Sequence, residues 1–214
     1  MNRVAAALTR CLIHTSRRDS RGVRSGTPEA VSRSALIVVD MLNSYEHPDA
    51  DKLTRSVEDA LPAMQRAIER ASREDVVTIY VNDNFGAWNS NRDDVVETAM
   101  AGRFRHLVEP LAPAEDTLFV VKARHSIFFQ TPLEYLLRQE DIDRIVLVGQ
   151  VTEQCILYSA LDAYVRELAV AVPRDAVAHI HDDLAEASLR MMELNMSAEI
   201  STADEVRLAG GAEG

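Results

Sequence analysis

The sequence predicts an α/β fold, a three-layer α/β/α sandwich on a mainly parallel sheet of six strands, and three observations carry that prediction. Short apolar, β-branched runs recur along the chain, as at residues 35–39 and 145–148. They lack the polar alternation of a half-exposed sheet, which is the pattern of strands covered on both faces. Between them lie segments with apolar residues at helical spacing, and strands alternating with helices imply right-handed crossovers and a parallel sheet.

Taken in order, the first strand covers residues 35–39 and ends at Asp40, and a polar loop follows over 41–49. Val57, Leu61, Met64 and Ile68 then mark a helix, with Pro62 expected in its first turn, where a missing N–H costs nothing. The second strand, 76–81, opens into a long polar and aromatic loop around Phe85 and Trp88, suited to a ligand or a lid. A short helix and two proline turns lead to the third strand at 118–121, followed at once by Lys122. Residues 132–139 read as a helix capped by Thr131. The fourth strand, 145–148, ends at Gly149 and passes through a short loop into a helix with Thr152 as its expected cap and Cys155 in its first turn. A fifth strand at 168–172, an amphipathic helix at 182–195 and a last strand at 198–202 complete the pattern.

The 214 residues suffice for one domain with a full core, assigned here to 34–206. Residues 1–33 hold seven arginines against Asp19 and Glu29, a net +5, which leaves −16 of the total −11 on the remainder. That opening segment has no core-facing pattern and is expected to be a disordered tail or an over-long start rather than a transit peptide, and the small-residue stretch 207–214 is expected to be a flexible tail. A net charge of −11 argues against a nucleic-acid partner. No apolar run approaches the roughly 20 residues of a membrane span. Cys11 and Cys155 form no disulfide framework, and no secretory signal is present, so a cytoplasmic location is expected.

Three strands lead into a potentially reactive residue: Asp40, Lys122 and Cys155. Open parallel sheets place their sites at the carboxyl ends of strands. Parallel neighbours would bring the three together as a nucleophile, a base and a charge stabiliser. The helix N-terminus and Lys122 are expected to lower the thiol pKa. Each residue alone has another use: Asp40 as a loop cap, Lys122 on the surface, Cys155 as a small buried hydrophobe.

The segments ALIVVDM (35–41), VVKARHSIFFQTPL (120–133), GQVTEQC (149–155) and ALDA (160–163) resemble the isochorismatase-like cysteine hydrolases, which include nicotinamidases and N-carbamoylsarcosine amidases. The likeness runs from about residue 34 to 204 and implies a Rossmann-like sheet. It also implies a catalytic triad of Asp40, Lys122 and Cys155, a cis peptide at Gln150–Val151, and an oxyanion hole from the backbone N–H groups of Val151 and Cys155. Nicotinamidases of the family carry an Asp-x-His metal motif, whereas this chain reads Asp83-Asn84-Phe85. No metal and no cofactor are therefore expected. A His-x-His pair at His179 and His181, like His125, is read as structural.

Asn43, Asn84, Phe85, Trp88, Phe128 and Tyr158 are the candidate substrate-binding residues, each with a bland reading as loop or packing residue. The expected function is hydrolysis of an amide, lactam or ureido C–N bond in a small molecule through a thioester on cysteine. The alternatives are an isochorismatase-type hydrolase of a small carboxylic acid and a catalytically silent scaffold of the same fold. A homo-oligomer, dimer or tetramer, is expected, with a neighbouring subunit helping to close the pocket.

Overall fold

The structure is a computed structural model, and it describes residues 33–89 and 91–209. The segment read as an N-terminal tail, Cys11 included, lies outside the described residues apart from Arg33, as do the last five residues.

Every strand of the sheet runs parallel, in the order β3-β2-β1-β4-β5-β7. Its strands are β1 (Ser34–Val39), β2 (Val77–Asp83), β3 (Leu118–Lys122), β4 (Arg144–Gln150), β5 (Ala169–Pro173) and β7 (Glu199–Ser201). The expected six strands become seven. The addition is β6 (Val177–Ala178), which pairs with β4 at Gly149 and Gln150 after a short turn has taken the chain off β5. Two residues are too few to leave a strand pattern in a sequence.

Side-chain alternation along the strands divides the core in two. Leu36 and Val38 of β1 face a layer containing α1 (Ala50–Arg73), α2 (Arg92–Ala101) and α3 (Arg105–Val108). Ala35, Ile37 and Val39 face the layer of α4 (Leu133–Gln139), α5 (Leu157–Val165) and α6 (Asp182–Met196). β1 and β4 lie centrally and are buried on both sides, which accounts for their uninterrupted apolar runs.

Two local expectations are corrected. Pro62 lies inside α1, not in its first turn, because the helix begins at Ala50. Leu53, Val57 and Ala60 are buried upstream of the proline, and their burial outweighs the lost N–H. Thr131 sits one residue before the cap position of α4, which Pro132 occupies. Its hydroxyl donates to the Ile127 carbonyl at 2.5 Å and accepts only a long bond, 3.4 Å, from the Leu133 N–H. Among the described residues no helix is long and apolar enough to cross a membrane.

Candidate active site

The carboxyl ends of β1, β2, β3 and β4 meet because these strands are consecutive neighbours in the sheet. Asp40 follows β1 directly and has a left-handed backbone, φ 55°. Its N–H still bonds the Val81 carbonyl of β2 at 3.0 Å, so the chain turns without leaving the sheet edge. One carboxylate oxygen, Oδ1, accepts the Asp83 N–H at 2.7 Å, and the other lies 2.8 Å from Lys122 Nζ. Lys122, the last residue of β3, is buried and has a second carboxylate, Asp83, at 3.4 Å. Asp83 and Lys122 are register partners across β2 and β3, a pairing that strand patterns alone do not give. On its third side the ammonium lies 3.7 Å from Cys155 Sγ.

Cys155 is presented by a wide helical turn, Thr152–Ile156, that joins β4 to α5. The turn starts close against β1. A Cβ on Gly149, whose φ is +117°, would sit 2.2 Å from the Val39 carbonyl oxygen, so only glycine passes there. Next, the Gln150–Val151 peptide is cis. The buried Gln150 side chain donates to the Asp40 carbonyl at 2.6 Å and accepts from the Tyr45 hydroxyl at 3.4 Å, tying the two loops together. Thr152 is not the helix cap expected of it: its hydroxyl donates to the Ala178 carbonyl of β6 at 2.9 Å. The buried Glu153 carboxylate accepts from the N–H groups of Ile180 and His181, holding the start of α6 to the same turn.

The electrostatics correct one expectation. Burial, and then the charge of Asp40, push the Cys155 thiol up rather than down, and they outweigh both Lys122 and the Val151 N–H directed at the sulfur. Burial also raises Asp40 above its ordinary 3.8 against the pull of Lys122. For Lys122, burial lowers the ammonium, yet the charges of Asp40, Cys155 and Asp83 leave it raised overall. Such a site holds a neutral thiol beside a strengthened base and a fixed cation, and it releases a thiolate when the base takes the proton.

The expected binding residues separate into three kinds. Asn43 and Asn84 spend their side-chain oxygens on the N–H groups of Tyr45 and Gly86, so they shape loops. Phe128 is a packing residue, buried in the core with the Arg166 guanidinium 4.8 Å above its ring. Phe85, Trp88 and Tyr158 are exposed. Sequence reasoning missed three contributors. Asp83 was visible only as half of a broken metal motif, and Gln150 only as one side of a peptide bond. His125 places Nδ1 3.6 Å from Cys155 Sγ, and its spacing from Lys122 was the one available signal. Among the described residues no group of three or more His, Cys, Asp or Glu is placed to hold a metal. A cavity of about 1070 Å³ opens elsewhere, between α1 and α6, lined by charges of both signs.

An isochorismatase domain matches residues 34–205. An uncharacterized isochorismatase family protein of Bacillus subtilis is 31% identical over 80% of this chain and 95% of its own. Maleamate amidohydrolase of Pseudomonas putida is 28% identical over 73% of this chain and 78% of its own. The crystal structure of N-carbamoylsarcosine amidase from Thermoplasma acidophilum superposes with a TM-score of 0.61 at 26% identity, covering 82% of this chain and 99% of that one.

Proposed function

Starting from the fact that this chain belongs to the isochorismatase family, we propose that it hydrolyses a non-peptide C–N bond of a small molecule through a thioester on Cys155. The observation that carries the reading is the contact of three groups, with Lys122 Nζ 2.8 Å from Asp40 and 3.7 Å from Cys155 Sγ. An amide, lactam or ureido carbonyl is the substrate class, supported by the amidases among the relatives.

In the first half-reaction Asp40 takes the thiol proton as Sγ bonds to the carbonyl carbon. The carbonyl π pair moves to oxygen, and the N–H groups of Val151 and Cys155 receive the oxyanion. Collapse breaks the C–N bond, and Asp40 returns its proton to the leaving nitrogen. In the second half-reaction water adds to the thioester, and the C–S bond breaks to give a carboxylic acid and the restored thiol. Lys122 balances the negative charge that moves between Asp40 and Sγ. A buried base needs such a cation to carry its charge without water.

No divalent metal takes part. Phe85 stands where a histidine ligand would be, and the Asp83 carboxylate is already directed at Lys122. Exhaustive chelation should leave turnover unchanged. Self-association belongs to the same proposal, supported by Leu161, Tyr164 and Val165 on α5 and Met191 and Leu194 on α6, all exposed. Sedimentation velocity measures it.

The deciding experiment exposes the protein to a panel of small amides, lactams and ureido compounds and weighs the Cys155 peptide after an acid quench. An acyl mass on Cys155 that is absent from Cys155→Ala is the expected result. Turnover that persists in Cys155→Ala would refute the mechanism.

A further inference from the structure

Cys155 has a partner on each side. On the buried side are Asp40 and Lys122; on the other, the exposed His125 places Nδ1 3.6 Å from Sγ, within hydrogen-bonding range for sulfur. The imidazole is held there rather than left free. The next residue, Ser126, donates its hydroxyl to the Asp162 carboxylate of α5. The Ile127 N–H donates to the Ser159 hydroxyl on the same helix at 3.1 Å. The His125 ring leans on Tyr158 with centroids 5.5 Å apart. Three consecutive residues after β3 are thus fastened to the helix that Cys155 leads into.

Asp40 is constrained by comparison. Its Oδ1 already accepts from Asp83, its Oδ2 faces Lys122, and the residue is buried.

We propose that His125 is a second base for Cys155, working from the solvent side as Asp40 works from the buried side. It rests on the reading of Cys155 as the nucleophile. With the imidazole neutral and its own proton on Nε2, the Sγ–H bond breaks and an Nδ1–H bond forms. The freed sulfur pair bonds the carbonyl carbon as the carbonyl π pair moves to oxygen; on collapse the C–N bond breaks and the Nδ1 proton passes to the leaving nitrogen, which leaves the imidazole a base again. In thioester hydrolysis the proton runs the other way round the same pair: the attacking water gives one proton to Nδ1, and the departing sulfur takes it as the C–S bond breaks. Burial and the charge of Asp40 hold the thiol in its protonated form, and a second acceptor eases that hold.

The test is the rate at which iodoacetamide alkylates Cys155 at neutral pH, read on the Cys155 peptide so that Cys11 is not counted. Wild type, His125→Ala, His125→Phe, Asp40→Asn and the Asp40→Asn, His125→Phe pair are compared, with melting temperatures confirming that each is folded. His125→Ala and His125→Phe should slow alkylation by about tenfold or more, in keeping with loss of one acid–base partner. Free imidazole should restore His125→Ala, where the ring has left a gap, and not His125→Phe, where it is filled. Asp40→Asn should keep a rate that the double variant loses. The proposal is overturned if His125→Ala is alkylated as fast as wild type, or if its loss is untouched by imidazole. Amide turnover that persists in Cys155→Ala would instead overturn the nucleophile reading, and this inference with it.

Discussion

Asp40, Lys122 and Cys155 at the sheet edge are 6%, 1% and 7% exposed, whereas Phe85 and Trp88 in the loop after β2 are 56% and 81% exposed. The loop leaves β2 beside Asp83, a neighbour of Lys122, but the two regions are fixed by different physics. On the floor, Lys122 ends a strand, Asp40 follows one and Cys155 sits in the turn after one, and their polar atoms meet one another. On the rim, positions come from a loop whose bonds are local: Asp83 and Asn84 accept from the N–H groups of Phe85 and Gly86. The difference implies that floor mutations should act on chemistry or on folding, and rim mutations on affinity alone.

The largest effect expected is on the floor. Asp40→Asn keeps the shape and removes the base, and turnover should fall by about 10²–10⁴. Stability should respond differently. A carboxyl whose folded pKa is raised favours folding below its unfolded value and costs stability once pH rises through the folded one. Asparagine relieves that cost at neutral pH. The loss of a partner for the buried Lys122 works the other way, softened by Asp83 at 3.4 Å. The melting temperature should therefore change little. Near-normal turnover with a lowered melting temperature would make Asp40 a loop cap and break the comparison.

Gly149→Ala comes next and acts on folding. The new Cβ meets backbone rather than a movable side chain, at 2.2 Å from the Val39 oxygen, and φ +117° adds strain. Overpacking and the wrong backbone region together should cost roughly 3–5 kcal/mol, measured by urea unfolding. A loss below about 1 kcal/mol would mean that β1 and β4 can part at their ends, and that the floor is not rigid.

Cys155 supplies a smaller, pH-dependent effect. Its folded pKa lies above the ordinary 9.0, so the neutral thiol is the form the fold prefers. That preference is fully present below pH 9 and is lost as pH rises from there toward the folded value, since the unfolded thiol ionises first. Wild type should lose up to about 1.4 kcal/mol per pH unit above pH 9 relative to Cys155→Ala. Parallel stability curves for the two proteins would show that the thiol is not held neutral, and that its buried setting has been misjudged.

What the sequence made legible follows the same division. Asp40, Lys122 and Cys155 could be found because an apolar strand has a readable end, and a parallel sheet collects such ends on one edge. Asp83 as a partner of Lys122 could not, because it depends on the register of β2 against β3. Thr152 was misread for a similar reason. Its hydroxyl is drawn to Ala178 in a strand two residues long, which no local pattern announces. Pro62 shows tertiary packing overriding local propensity, with buried residues on both sides holding one helix through it. The direction of the Cys155 pKa was missed because sequence shows which charges are near but not how dry the site is. On the rim, residue type suggested binding for Asn43, Asn84 and Phe128 alike, and only coordinates separate a loop bond or a core contact from a free surface.

Trp88→Ala should have the smallest effect and is the sharpest check on the rim. At 81% exposure its indole makes little contact with the fold, so its removal should change stability by less than about 0.5 kcal/mol. If a bound substrate covers roughly 50 Å² of the ring, burial at ~25 cal/mol per Å² contributes about 1 kcal/mol, near fivefold in KM. That contact is equal in the ground and transition states, so kcat should hold. Steady-state kinetics on any amide that the protein turns over separate the two constants. A raised KM with unchanged kcat assigns the rim to affinity. A lowered kcat at unchanged KM would mean that the loop helps build the reacting geometry, and floor and rim would then be one unit.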